Sequence, residues 1–176
     1  DLKHQITALR AETDEERRKK WLDAMEEEVR AFGNINKTGN SVLDTILAAK
    51  IFHCRKHHIQ ITCVADGQIL DFMHVTDICS MFGNALDNAI EHVITIPEEE
   101  KRLIHMSVSA KKDFVFIRVE NYCEEEIVKN DNQLISTTKA DKKNHGFGLR
   151  SIYAAAEKYG GSADFGQKNN WFELTI

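Results

Sequence analysis

Hydrophobic positions recur along the chain with two periods, and the changes between them mark out its elements. Leu2, Ile6 and Leu9 are spaced by four and three residues, and Leu22, Met25, Val29 and Phe32 by three, four and three. That spacing predicts two helices with narrow apolar seams, because side chains three and four apart share a helical face. Between the stripes Thr13 and Glu16 form a capping box that starts the second helix, and Gly33-Asn34 stops it. Seams this short cannot bury themselves well alone. Two readings therefore stand for this segment: a solvated helical tail, or a hairpin that pairs with a second subunit.

From Ser41 a further helix is predicted to run to His57 or His58, with Asp44 at the capping-box partner position and Leu43, Ile46, Leu47 and Ile51 on one face. At 59–65 the period shortens to two and the residues become β-branched, which predicts a strand, followed by a turn at Asp66-Gly67. A long helix is expected over about 77–94 with Thr76 as N-cap, then strands over about 103–109 and 114–120 around a turn at Lys111-Lys112-Asp113. Residues 121–145 are polar and weakly periodic and read as one long loop of the kind that serves as a lid or binding loop. A helix over about 147–159, ended by Gly160-Gly161, and strands over about 162–166 and 171–176 close the chain. There is no internal repeat and no low-complexity tract.

Composition narrows the class. With 42% hydrophobic residues, nine Gly and a single Pro, the 176-residue chain is neither collagen-like nor disordered. A chain of this size removes roughly 70% of its unfolded surface from water, enough for a real core. Its net charge of −5 argues against nucleic acid or an anionic membrane as a global partner. No apolar run approaches the length of a membrane span. Cys54, Cys63, Cys79 and Cys123 form no C-x-x-C pair, which points to free thiols in a reducing compartment. The chain opens on Asp1 rather than Met and reads as an excised fragment, so its lack of a membrane segment is not expected to describe the parent.

Three groups of residues carry candidate chemistry. On the helix at 77–94, Phe82, Ala85, Leu86, Ala89, Ile90 and Val93 fall in one apolar arc, while Asn84 and Asn88 fall together near the opposite side with Asp87 and Glu91 beside them. Asn costs a helix interior roughly half a kcal/mol against Ala, so a pair on one stripe asks for a reason. Carboxamide and carboxylate oxygens so placed suit a hydrated Mg²⁺; the plain alternative is a solvated polar face. His145-Gly146-Phe147-Gly148-Leu149-Arg150 joins the long loop to a helix, where glycine lets backbone N–H groups approach an anion; the alternative is a simple turn. Lys139, Lys142 and Lys143 lie just upstream as mobile cations or ordinary loop lysines. His53, Cys54, His57, His58 and Cys63 form a third cluster, and His53 and His57 have the i, i+4 spacing of zinc ligands. No second ligand pair accompanies them, which favours surface histidines and half-buried cysteines.

Taken in order, Asn84-x-x-x-Asn88-Ala89, a strand ending in Val119-Glu120-Asn121, a long loop and His145-Gly-Phe-Gly-Leu149 resemble the GHKL (Bergerat) ATP-binding superfamily. FGNALDNAIEH is similar to the N box of sensor histidine kinases and HGFGLRSI to their second glycine box, most of all in the receptor kinases of peptide quorum-sensing systems. The resemblance implies an α+β fold, a two-layer α/β sandwich with a mixed sheet covered on one face by helices, over residues 38–176. It implies a partial dimerisation and phosphoacceptor hairpin over 1–37, and hence a homodimer. ATP and Mg²⁺ are the implied cofactors. Asn88 would ligate the metal and Asn84 would contact phosphate or a metal water. Gly146 and Gly148 would offer N–H groups to the phosphates under a lid at 122–145, and Asp87, Lys139, His145 and Leu149 would complete the nucleotide site. Asn121 stands where most such kinases carry the Asp that accepts from the adenine amino group, and an Asn oxygen can accept that bond too. The usual glycines of the first glycine box are replaced by Tyr122-Cys123-Glu124-Glu125.

The family's phosphoacceptor segment implies an acceptor His immediately before Asp1, with Asp1 as the carboxylate that orients the imidazole and takes its proton; His4 is the lesser candidate. The implied function is transfer of the γ-phosphoryl of Mg-ATP to a histidine and onward to a response regulator, in the cytoplasmic portion of a membrane-bound bacterial receptor. Two rivals remain: a nucleotide-gated interaction module without phosphotransfer, and a GHKL ATPase of the mismatch-repair or chaperone type. The second needs a water-activating Glu where this chain has Asn84.

Overall fold

The computed structural model describes residues 37–125 and 145–176, and the expectations for the two N-terminal helices lie outside them. Helix α1 spans Ser41–Lys56, strand β1 Gln60–Ala65, helix α2 Val75–Val93, β2 Leu103–Lys111 and β3 Phe114–Tyr122. Helix α3 spans His145–Lys158, followed by β4 Asp164–Lys168 and β5 Trp171–Thr175. Short 3₁₀ turns at Gln68–Leu70 and Glu99–Lys101 punctuate the connections.

The five strands form one mixed sheet in the order β1-β2-β3-β5-β4. Strand β1 runs parallel to β2, with α2 as the crossover between them, and the other pairs are antiparallel. Alternation along the strands sends Ile104, Met106 and Val108 of β2, Ile117 and Val119 of β3, Phe165 of β4 and Leu174 of β5 into the core. Against them lie Leu43, Leu47 and Ile51 of α1, Phe82, Leu86 and Ile90 of α2, and Leu149 and Ile152 of α3, all in one continuous apolar cluster. The opposite side of the sheet is open, with Val64, Phe114 and Phe116 exposed on it. The expected two-layer α+β architecture is therefore the observed one.

Several boundaries move from their expected places. Helix α1 is capped by Asn40, whose Oδ1 accepts from the Leu43 N–H at 3.1 Å. Asp44 forms no capping box with Ser41; it accepts instead from the Thr38 N–H at 2.8 Å and the Thr38 hydroxyl at 2.7 Å. Helix α2 starts at Val75, two residues earlier than expected, because His74 rather than Thr76 caps it through Nδ1, which accepts from the Thr76 N–H at 3.3 Å. The hairpin between β2 and β3 turns at Lys112, which adopts φ +56°. All four cysteines are free.

Candidate functional site

The polar stripe predicted on the long helix exists. Asn84 and Asn88 are half-buried and Asp87 and Glu91 exposed, while the other flank of α2 buries Phe82, Ala85, Leu86, Ala89, Ile90 and Val93. The stripe lies between two neighbouring helices. On one side Lys50 of α1 donates to Asp87 Oδ1 at 2.5 Å. On the other, α3 comes so close that a β-carbon placed on Gly148 would stand 3.7 Å from the Cβ, Cγ and Oδ1 of Asn84. The residues of the two sequence boxes, more than fifty positions apart, thus face each other across one groove. Asn84 Nδ2 donates to Ser80 Oγ one turn back at 3.3 Å, which fixes the carboxamide and leaves its oxygen toward α3.

Helix α3 begins at His145, not at about 147, so the HGFG segment is its first turn rather than a loop ahead of it. The correction leaves the chemistry in place. The first four N–H groups of a helix have no partner within the helix, and here they belong to His145, Gly146, Phe147 and Gly148. Glycine is a poor interior helix residue but loses little in a first turn whose amides are unpaired in any case, and the helix end adds positive potential for an anion. The side chain of Leu149 packs into the core at 6% exposure, so any part it takes in binding falls to its backbone.

Asn121 is the penultimate residue of β3 on the helix-facing side, in register with Ile104 and Phe172, and is 3% exposed. Its Nδ2 donates to the Tyr122 carbonyl at 3.1 Å, which turns the carboxamide oxygen away as an acceptor. Beyond it the Tyr-Cys-Glu-Glu segment is held by its own contacts. Glu124 accepts from the Tyr122 hydroxyl at 2.6 Å and from Lys101 at 2.8 Å, and these donors, Lys101 first, hold its carboxyl below the usual range. Asp1, His4 and Lys139, and the segment beyond Glu125 expected to serve as a lid, lie outside the described residues.

The histidine and cysteine cluster does not converge. The rings of His53 and His57 meet at a tilt of 44° with centroids 4.6 Å apart, His58 pairs with Glu99, and Cys54 turns into the core. Burial pushes the Cys54 and Cys63 thiols up to about 11. Among the described residues no three His, Cys, Asp or Glu side chains come together to hold a metal. Lys50 is the site residue that sequence reading missed. No local pattern marks it, because its partner Asp87 lies 37 positions further along the chain.

The model of the GHKL domain matches residues 73–176, from the turn before α2 to the end of the chain. The chain belongs to the GHKL domain family. GHKL domains bind ATP, and the match encloses both boxes and the groove between them. Among solved structures, this GHKL chain is similar to the catalytic domain of histidine kinase ThkA in a nucleotide-free form, with 18% identity, TM-score 0.55 and coverage of 77% of this chain and 90% of that one. It is also similar to the Acinetobacter baumannii histidine kinase AdeS, with 14% identity, TM-score 0.52 and coverage of 99% and 94%. At such identities the likeness speaks for the fold. No functionally curated protein matches the sequence significantly. No helix among the described residues is long and apolar enough to cross a membrane.

Proposed function

We propose that this chain is the ATP-binding catalytic domain of a two-component sensor histidine kinase, most like the receptor kinases of peptide quorum-sensing systems. In that role it passes the γ-phosphoryl of Mg-ATP to a histidine of a dimeric hairpin, and from there to a response regulator. The observation that carries the reading is the packing of Gly148 against Asn84, so close that a β-carbon on Gly148 would stand 3.7 Å from the Asn84 side chain, which sets an oxygen-bearing stripe against a helix N-terminus. A triphosphate needs that pair: N–H groups for its oxygens and hard oxygen donors for its cation. Asn84 and Asn88 offer such donors, while the Asp87 carboxylate is taken by Lys50, so the two carboxamides fit Mg²⁺, with Asn88 as the ligand and Asn84 toward phosphate or a metal water. When bound, Mg²⁺ supplies charge neutralisation at the phosphates. Asn121 contributes a neutral acceptor oxygen for the adenine amino group. Transfer then rests on positioning, with Asp1 beside an acceptor histidine as proton acceptor.

Calorimetric titration with ADP and a non-hydrolysable ATP analogue, with and without Mg²⁺, tests the site. Mg²⁺-dependent binding is expected in the wild type and its collapse in Asn88→Ala; absence of binding at millimolar nucleotide would overturn the reading. Phosphotransfer from ATP to a separately supplied hairpin bearing the His that precedes Asp1 separates a kinase from a module that only binds nucleotide.

A further inference from the structure

A cation stands beside the polar stripe of α2. Lys50 and His53 lie three residues apart on α1, with His57 as its C-cap, and Lys50 reaches Asp87 at 2.5 Å with its own side chain only 23% exposed. His53 feels the charge of Asp87 as well, but its pKa is lowered, first by desolvation and then by His57 and Lys50. Lys50 is thus the cation that meets the Asp87 carboxylate. The need for that charge is local. Asp87 lies between Asn84 and Asn88 in sequence and on their side of the helix, with Glu91 one turn further on. An anion drawn to the two carboxamides meets a carboxylate beside them, and like charges at such short range repel.

We infer that Lys50 is a positioning residue of the nucleotide site: it neutralises and turns aside the Asp87 carboxylate, so that the phosphates of a nucleotide can settle at Asn84 and Asn88. This rests on the nucleotide reading above. Lys50 acts through Asp87 and not by contact with phosphate, which gives the idea a distinctive signature. Removing the cation harms binding in proportion to phosphate charge, and removing the carboxylate as well repairs the harm.

The experiment is calorimetric titration of the whole chain with a non-hydrolysable ATP analogue, ADP and adenosine, each in the presence of Mg²⁺. It compares the wild type, Lys50→Met, Lys50→Arg and the double variant Lys50→Met/Asp87→Asn. In Lys50→Met the triphosphate is expected to bind about tenfold more weakly, ADP less affected and adenosine unchanged. Lys50→Arg keeps the charge and stays within about threefold of wild type, and the double variant returns to the same range. Three results overturn the inference: undiminished triphosphate binding in Lys50→Met, an equal loss for adenosine, or a double variant as weak as the single one. A wild type that binds none of the three ligands overturns the nucleotide reading itself and this inference with it.

Discussion

Gly67 has no room for a side chain. Its φ of −77° is open to any residue, so the constraint is space and not backbone conformation. A β-carbon there would stand 2.3 Å from the Thr38 hydroxyl and 2.9 Å from the Asn40 Cβ. Those side chains cannot easily yield. The Thr38 hydroxyl donates to Asp44, Asn40 caps α1, and the Gly67 N–H itself donates to the Thr38 carbonyl at 2.7 Å. Gly67→Ala should therefore cost about 1–3 kcal/mol, the usual toll of overpacking. Gly83 presents the opposite case: it lies inside α2 and a β-carbon on it would meet nothing within 4 Å. There alanine removes backbone freedom from the unfolded chain, and Gly83→Ala should gain about 0.4–1 kcal/mol. Urea denaturation of the two variants beside the wild type checks both signs at once.

Helices α2 and α3 are joined by a polar pin that no single element predicts. Asp77, in the first turn of α2, accepts from Lys158 at 2.5 Å and from the Tyr159 hydroxyl at 2.6 Å, at the far end of α3. The same Tyr159 oxygen accepts from the His74 N–H at 2.8 Å, and its ring meets Phe72 edge-on at 5.5 Å. Donation first from Lys158 and then from Tyr159 holds the Asp77 carboxyl below its ordinary value of 3.8. A depressed carboxyl stabilises the fold fully above its unfolded value, and that contribution fades as pH falls below 3.8 through the folded value. Thermal unfolding of Asp77→Asn against wild type should show a gap in Tm at neutral pH that narrows on acidification below that point. A gap constant across the acid limb would remove Asp77 from the acid sensitivity. Most of the elements were nonetheless legible in the sequence. Apolar positions at period two placed β1, and the arc from Phe82 to Val93 placed α2, because burial imposes its period directly on composition. What was hidden depends on contacts between elements distant in sequence. Lys50 could not be recognised opposite Asp87 until α1 and α2 were packed together; the cap of α2 was missed for a local reason, since histidine is not among the usual N-cap residues. The stripe of Asn84 and Asn88 was visible as an anomaly of propensity; its meaning as one wall of a groove needed Gly148 in place.

At the scale of the whole molecule, the two faces of the sheet do different work. The helix-covered face carries the core and the candidate groove, while the open face shows Val64 at 71%, Phe114 at 69% and Phe116 at 42% exposure. A largely antiparallel sheet can leave one face in water without unpaired backbone, because its ladder bonds lie in the plane of the sheet. Stability should accordingly be insensitive to side chains there and sharply sensitive one layer away. Ile152 of α3 has no exposed surface, and Ile152→Ala removes apolar atoms that the surrounding cluster can only partly replace, at about 2–5 kcal/mol. Phe114→Ser, on the open face, should change stability by less than about 0.5 kcal/mol. The same geometry makes a statement about function: Asn84, Asn88 and the first turn of α3 belong to the helix layer, so Phe114→Ser should also leave Mg²⁺-dependent nucleotide affinity where it was. Urea unfolding and a nucleotide titration on the two variants measure both quantities. A large loss of stability in Phe114→Ser would mean that the open face is packed against something in the native protein, and a loss of affinity without loss of stability would place part of the nucleotide site on that side of the sheet.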